Sequence, residues 1–184
     1  MKTISTLLLF VIFSFSVQGQ SSIIEAPKGY TNDIGNMISM LDNLKQRVER
    51  IVAGLSQEQT DFLLDEDANR IGAIIYHLAA TEAYYQVFTF EKRGFNNEEN
   101  EKWMVALNLG EQGRKELKDK PISYYLEIYD DVRNKTKELL KTKDDKWFSR
   151  KVRGMSNHWA WFHVMEHQAN HMGQLALISK RLPK

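Results

Sequence analysis

Cysteine is absent from all 184 residues, which excludes disulfides, thiolate metal ligands, covalent c-type haem attachment and a cysteine nucleophile together. An excess of one charge is absent too, with 25 basic against 24 acidic residues. Without a basic field, nucleic acid is not an expected partner. No glycine loop of the nucleotide-binding kind occurs, and no Ser-His-Asp grouping is visible. The one strongly apolar run, Leu7 to Phe13, is too short to span a bilayer comfortably, and no stop-transfer pattern follows it.

That run belongs to a leader. Lys2 supplies a positive start, Leu7-Leu8-Leu9-Phe10-Val11-Ile12-Phe13 an apolar centre, and Val17-Gln18-Gly19 a cleavage site of small residues before Gln20. Residues 1–19 are therefore expected to be a signal peptide cut after Gly19. The mature chain is expected in the periplasm or secreted, with no stable membrane insertion. No cysteine stands at the cleavage site, so a lipid anchor there is excluded. An uncleaved leader acting as an anchor is the competing reading.

Residues 20–31 read as a linker. From Ile34, apolar residues fall at Met37, Ile38, Leu41, Leu44, Val48, Ile51, Val52 and Leu55, a sustained helical period with charges on the opposite face. Ser56 to Asp67 breaks it and reads as a connection. A second helix is expected from about Asn69 to Lys92; its stretch Ile71 to Ala80 is nearly all apolar and should be buried on most sides. Gly94 to Glu101 is polar and asparagine-rich, hence a loop, and Trp103 to Lys118 holds a short helix around Gly110 and Gly113. Pro121 opens a third long helix, since proline is tolerated in a first turn. Lys141 to Gly154 reads as a long connection with a short extended segment. Ser156 or Asn157 can cap a last helix running to about Lys180. The expected fold is all-α: one four-helix bundle domain over residues 32–182.

The last helix carries the chemistry. His163, His167 and His171 recur every fourth residue, and each such step drifts only about 40° around a helix, so the rings form one stripe. Imidazoles at i and i+4 lie close enough to grip one ion. His77, alone in the apolar second helix, is a candidate third ligand or a hydrogen-bonded core histidine. Competing signatures are missing: no histidine has a glutamate three residues before it, as a di-iron carboxylate bundle needs. Glu166 precedes His167 rather than following it, so the zinc-protease pattern is absent. Bis-histidine haem, or a histidine-rich stripe without a metal, stays open on the residues alone.

Two segments, Ile71-Gly72-Ala73-Ile74-Ile75-Tyr76-His77-Leu78 and His163-Val164-Met165-Glu166-His167-Gln168-Ala169-Asn170-His171-Met172-Gly173-Gln174, resemble the DinB/YfiT-like superfamily of metal-binding four-helix bundles. Leu107 to Arg114 and Tyr124-Tyr125-Leu126 share its flavour, and the resemblance covers residues 32–182. It implies one divalent ion held by His77, His167 and His171, with His163 an alternative ligand or a supporting group. Zinc is the first expectation, with nickel or iron next. Met172 stands where many members have arginine, which puts an anion contact there in doubt. Gly173 is expected to allow close helix packing or room at the site. Characterised members include thiol-dependent S-transferases and an isomerase, and homodimers are common in related bundles. The resemblance thus implies a metal-dependent transferase or hydrolase acting on a small molecule, with Glu82, Glu166 and Tyr76 as candidate helpers. An exported chain would often lack a reduced cytoplasmic thiol, so a non-catalytic metal- or ligand-binding bundle is the alternative.

Overall fold

A computed structural model describes residues 23–183; the leader lies outside them. Four long helices carry the fold: α1 (Asn32–Val52), α3 (Ile71–Gln86), α6 (Ile122–Lys141) and α8 (Asn157–Ser179). Shorter pieces sit in the connections: α2 (Gln57–Thr60), α4 (Asn97–Asn108), α5 (Gly110–Glu116) and α7 (Asp145–Phe148). A two-stranded antiparallel hairpin, β1 (Lys151–Val152) and β2 (Met155–Ser156), turns through Arg153 and Gly154. Both turn residues have positive φ, 48° and 93°, as the tightest hairpin turns require. No described helix is long and apolar enough to cross a membrane.

Cross-helix bonds fix the topology. Asp42 on α1 meets Arg133 and Lys137 on α6, while Lys45 meets Asp130, so these helices run antiparallel. Glu82 and Gln86 on α3 meet Arg133 and Thr136 on α6 in ascending order, so that pair is parallel. The Ser179 hydroxyl donates to the Ile51 carbonyl, bringing the C-terminal ends of α8 and α1 together. The bundle is therefore up-down-down-up, and the parallel α3–α6 pair needs a crossover. Helices α4 and α5 provide it.

The apolar core falls into two clusters. One joins α3 and α6 to the C-terminal halves of α1 and α8, through Ile71, Ile75, Tyr125, Tyr129, Val48 and Leu175. The other joins the N-terminal half of α1 to α8 and α7, through Ile34, Ile38, Leu41, Trp161 and Phe148. Gly72 brings α3 against Tyr125: a Cβ there would stand 2.3 Å from the ring.

The expected long helices all form, and α3 runs on into a π-helical turn, Val87–Glu91, that stops at Lys92 with φ 59°. The stretch expected as a loop up to Glu101 is helical from Asn97. There the Asn96 side chain accepts from the Glu99 amide at 2.9 Å and the Glu99 carboxylate accepts from the Asn96 amide at 2.8 Å. This reciprocal capping box starts α4 early. Helix α1 is capped from a distance. The Asp145 carboxylate accepts from the Asp33 and Ile34 amides at 3.1 and 3.3 Å, and from the Thr31 hydroxyl. Partial burial pushes the Asp145 carboxyl up, but these donors outweigh it and hold it below its ordinary value.

Two outcomes follow. Gly72→Ala should lower stability by about 1–3 kcal/mol through overpacking on Tyr125, read by urea unfolding. Asp145→Ala should cost about 1 kcal/mol at neutral pH by uncapping α1. Asp145→Asn isolates the charge. The folded carboxyl is depressed, so its contribution is present above the unfolded pKa of about 3.9 and fades as pH falls through the folded value. The wild-type advantage over Asp145→Asn should vanish in acid.

Candidate metal centre

Helices α3 and α8 face each other in antiparallel order, and the histidine stripe meets His77 across their seam. His77, His167 and His171 each offer a ligand nitrogen, and these nitrogens all lie within 4.8 Å of one another. Their ring centroids are 4.5–4.8 Å apart. His77 is buried and the other two are half-buried.

Two rings are held from behind. His77 Nδ1 donates to the Ala106 carbonyl at 2.9 Å, and His171 Nδ1 donates to the Gln174 side-chain oxygen at 2.8 Å. With Nδ1 committed, each Nε2 keeps its lone pair for the cluster, the arrangement metal-binding histidines use. His167 Nε2 faces His77 Nε2 at 2.8 Å. A tetrahedral ion with Zn–N bonds of about 2.0–2.1 Å holds its nitrogens about 3.3 Å apart, so the His77–His167 pair would open by about half an ångström to admit one. Burial lowers the pKa of His77, and that of His171, by disfavouring the charged ring. Burial, with His171, His77 and His163 adding to it, lowers that of His167 to about 3. Neutral imidazole is the form that binds a metal. The donor set fits a divalent ion.

The Ala106 carbonyl is available because α4 breaks off. Leu109 and Gly110 both take positive φ, 53° and 66°, which splits α4 from α5 and frees carbonyls of the last turn of α4. This backbone anchor was not read from the sequence; the Asn108-Leu109-Gly110 breaker was its only local sign.

The remaining candidates are not part of the cluster, though the His163 ring lies 5.9 Å from that of His167. His163 stacks on Trp159 at 5.3 Å and 5°, and its Nδ1 pairs with Glu166 Oε1 at 2.8 Å. Tyr85 meets the same ring edge-on at 5.7 Å. The Tyr76 hydroxyl donates to the Lys102 carbonyl at 3.2 Å, and its ring meets Trp103. His158 stacks on Phe148 at 4.5 Å. Met172 packs on the core beside a groove it forms with Arg47, Arg50, Ile51, Gly173 and Ala176. Gly173 does not serve close packing: an added Cβ would meet nothing within 4 Å.

Glu82 has another occupation. Its two oxygens accept from Arg133 Nε and Nη2, both at 2.8 Å, in a buried bidentate pair. Arg133 also donates to Gln168 on α8 at 3.1 Å and to Asp42 on α1 at 3.3 Å. Burial opposes the charge on Arg133, but Glu82 outweighs it and the guanidinium stays firmly protonated. Gln168 adjoins His167, so this network abuts the metal centre along α8.

The helical bundle, with one histidine on its second long helix and an i,i+4 pair on its last, agrees with the DinB/YfiT-like class to which the matching family model belongs. Within that class, the family model of mycothiol-S-transferase matches residues 36–182, and the chain belongs to that family. Comparison with curated proteins returns no match.

Removing one partner of a buried pair leaves a bare charge. Glu82→Ala should therefore lower stability by about 3–5 kcal/mol, measured by denaturant unfolding. The double variant Glu82→Leu with Arg133→Met should cost much less than the two single changes added together.

Proposed function

We propose that this protein is an exported metal-dependent transferase that joins a small thiol to an electrophilic small molecule, with His77, His167 and His171 holding one divalent ion. The observation that carries the reading is the convergence of three neutral imidazoles whose ligand nitrogens lie within 4.8 Å. Membership of a family described as mycothiol-S-transferase supplies the reaction class. Zinc is the ion the nitrogen set favours, with nickel or iron next. An ion bound by three uncharged ligands keeps its full charge and open positions, and so acidifies a thiol or water placed on it.

The chain's own groups divide the remaining work. His77 and His171 are aimed by Ala106 and Gln174, which leaves both Nε2 lone pairs for an ion the cluster would hold. With Glu82 held by Arg133, the Glu166–His163 pair one turn along the stripe is the candidate for accepting the thiol proton. The thiol sulfur forms the new bond to carbon as the leaving group departs with the electron pair of the bond it breaks, and the thiol proton passes to that pair. Tyr76, bonded to Lys102, braces α3 against α4 in this reading.

The leader, with Lys2 and the apolar run Leu7 to Phe13, supports export to the periplasm or beyond. Reduced small thiols are scarce there. That observation favours a second reading, a bundle that binds a metal or ligand without turnover.

Elemental mass spectrometry on untagged protein from its exported compartment tests both. About one ion per chain is expected in the wild type and in His158→Ala, and none in His77→Ala, His167→Ala or His171→Ala. Equal metal in all variants, or a wild type that refuses added divalent ions, overturns the site. Given one ion per chain, chelator-sensitive consumption of a thiol by an electrophile panel selects the transferase, and its absence selects the binding bundle.

A further inference from the structure

The face of α3 that carries His77 continues through Thr81 and Tyr85, at successive i+4 positions. His77 meets His167 and His171 on α8, and Tyr85 meets His163, one turn earlier on that helix. Thr81 is bracketed by these contacts. That register puts Thr81 level with the stretch of α8 between His163 and His167, about 6 Å along α3 from the level of His77.

Thr81 is 6% exposed, and its hydroxyl has no hydrogen-bond partner. Other helical threonines in this chain behave differently. The Thr60 hydroxyl donates to the Ser56 carbonyl at 2.8 Å, and the Thr89 hydroxyl to the Tyr85 carbonyl at 2.6 Å. Both use the back-bond to residue i−4 that the helix always offers. The Thr136 hydroxyl accepts from the Gln86 amide at 2.8 Å. Thr81 makes no such bond, and a buried hydroxyl left without a partner weakens the fold. A valine would fill the same volume without that penalty.

We propose that the Thr81 hydroxyl is the hydrogen-bond donor to the atom that takes the open coordination position of the three-histidine site, a thiolate sulfur. The proposal rests on the transferase reading above. A hydroxyl can donate to the anion and swing away from the neutral thiol. Bonds to charged acceptors are the stronger kind, so the contact favours the ionised form. Neither the Tyr76 nor the Glu82 side chain is free for that task, since each is bonded elsewhere.

The test uses mature wild-type protein, Thr81→Val and Thr81→Ser, each loaded with cobalt(II) and titrated with 2-mercaptoethanol. Growth of the thiolate-to-cobalt absorption reports binding of the probe. Thr81→Val should weaken the probe about 10-fold, while Thr81→Ser restores it and cobalt affinity is equal in all three. Metal-free Thr81→Val should melt at or above the wild-type temperature. Unchanged probe affinity in Thr81→Val overturns the proposal, as does a clear fall in its metal-free melting temperature, which would reveal a structural bond. A cobalt-loaded wild type without a thiolate band also overturns it while leaving the metal site standing. A wild type that binds no cobalt removes the site itself.

Discussion

One guanidinium ties the bundle together. Arg133 on α6 reaches Asp42 on α1, Glu82 on α3 and Gln168 on α8, so a single side chain bonds to each of the other three long helices. Apolar side chains tolerate sliding and repacking, because burial is nondirectional. A bidentate pair does not, since both bonds are lost within an ångström or so of displacement. The level at which α3 and α8 sit opposite each other is thus set by polar geometry rather than by the apolar clusters above and below. His77 and His167 inherit that setting. A slip of one residue moves a helix about 1.5 Å along its axis, far more than the roughly 0.2 Å tolerance of a coordination bond.

The centre has electrostatic consequences of its own. Burial keeps the imidazoles neutral, so no proton has to leave a charged ring before an ion can bind. No carboxylate belongs to the cluster among the described residues, and the nearest pair along α8 is His163 with Glu166, the His163 ring 5.9 Å from that of His167. The charge of a bound ion would therefore stay available for a ligand rather than being cancelled by the protein.

Much of this was legible in the chain. The period from Ile34 to Val52 and the proline before Ile122 announce α1 and α6, because apolar spacing and caps are local properties. The stripe of α8 and the isolated His77 announced the cluster, once a resemblance had joined two segments that lie 90 residues apart. Less was readable where the cause is distant. Nothing near Glu82 announces Arg133, 51 positions away, and its place five residues after His77 made the acid a candidate helper. Trp159 and Phe162 are apolar residues just before the stripe, yet they are 47% and 40% exposed, whereas Trp161 is fully buried. The capping box at Asn96 was legible in principle, but its asparagines look like loop residues until Glu99 is counted with them.

The break at Leu109 and Gly110 sits in a crossover whose evident task is to carry the chain from α3 to α6. A helix continuing through it would tie up the Ala106 carbonyl and leave the His77 ring without a rear anchor. The aim of the His77 ring is thereby written into the backbone of a different segment, at a position that contributes no nitrogen to the cluster. Crossovers are where related bundles can change length and shape without disturbing the four-helix frame. A change in the length or shape of this crossover would therefore alter how firmly the His77 ring is pointed even with all three histidines intact.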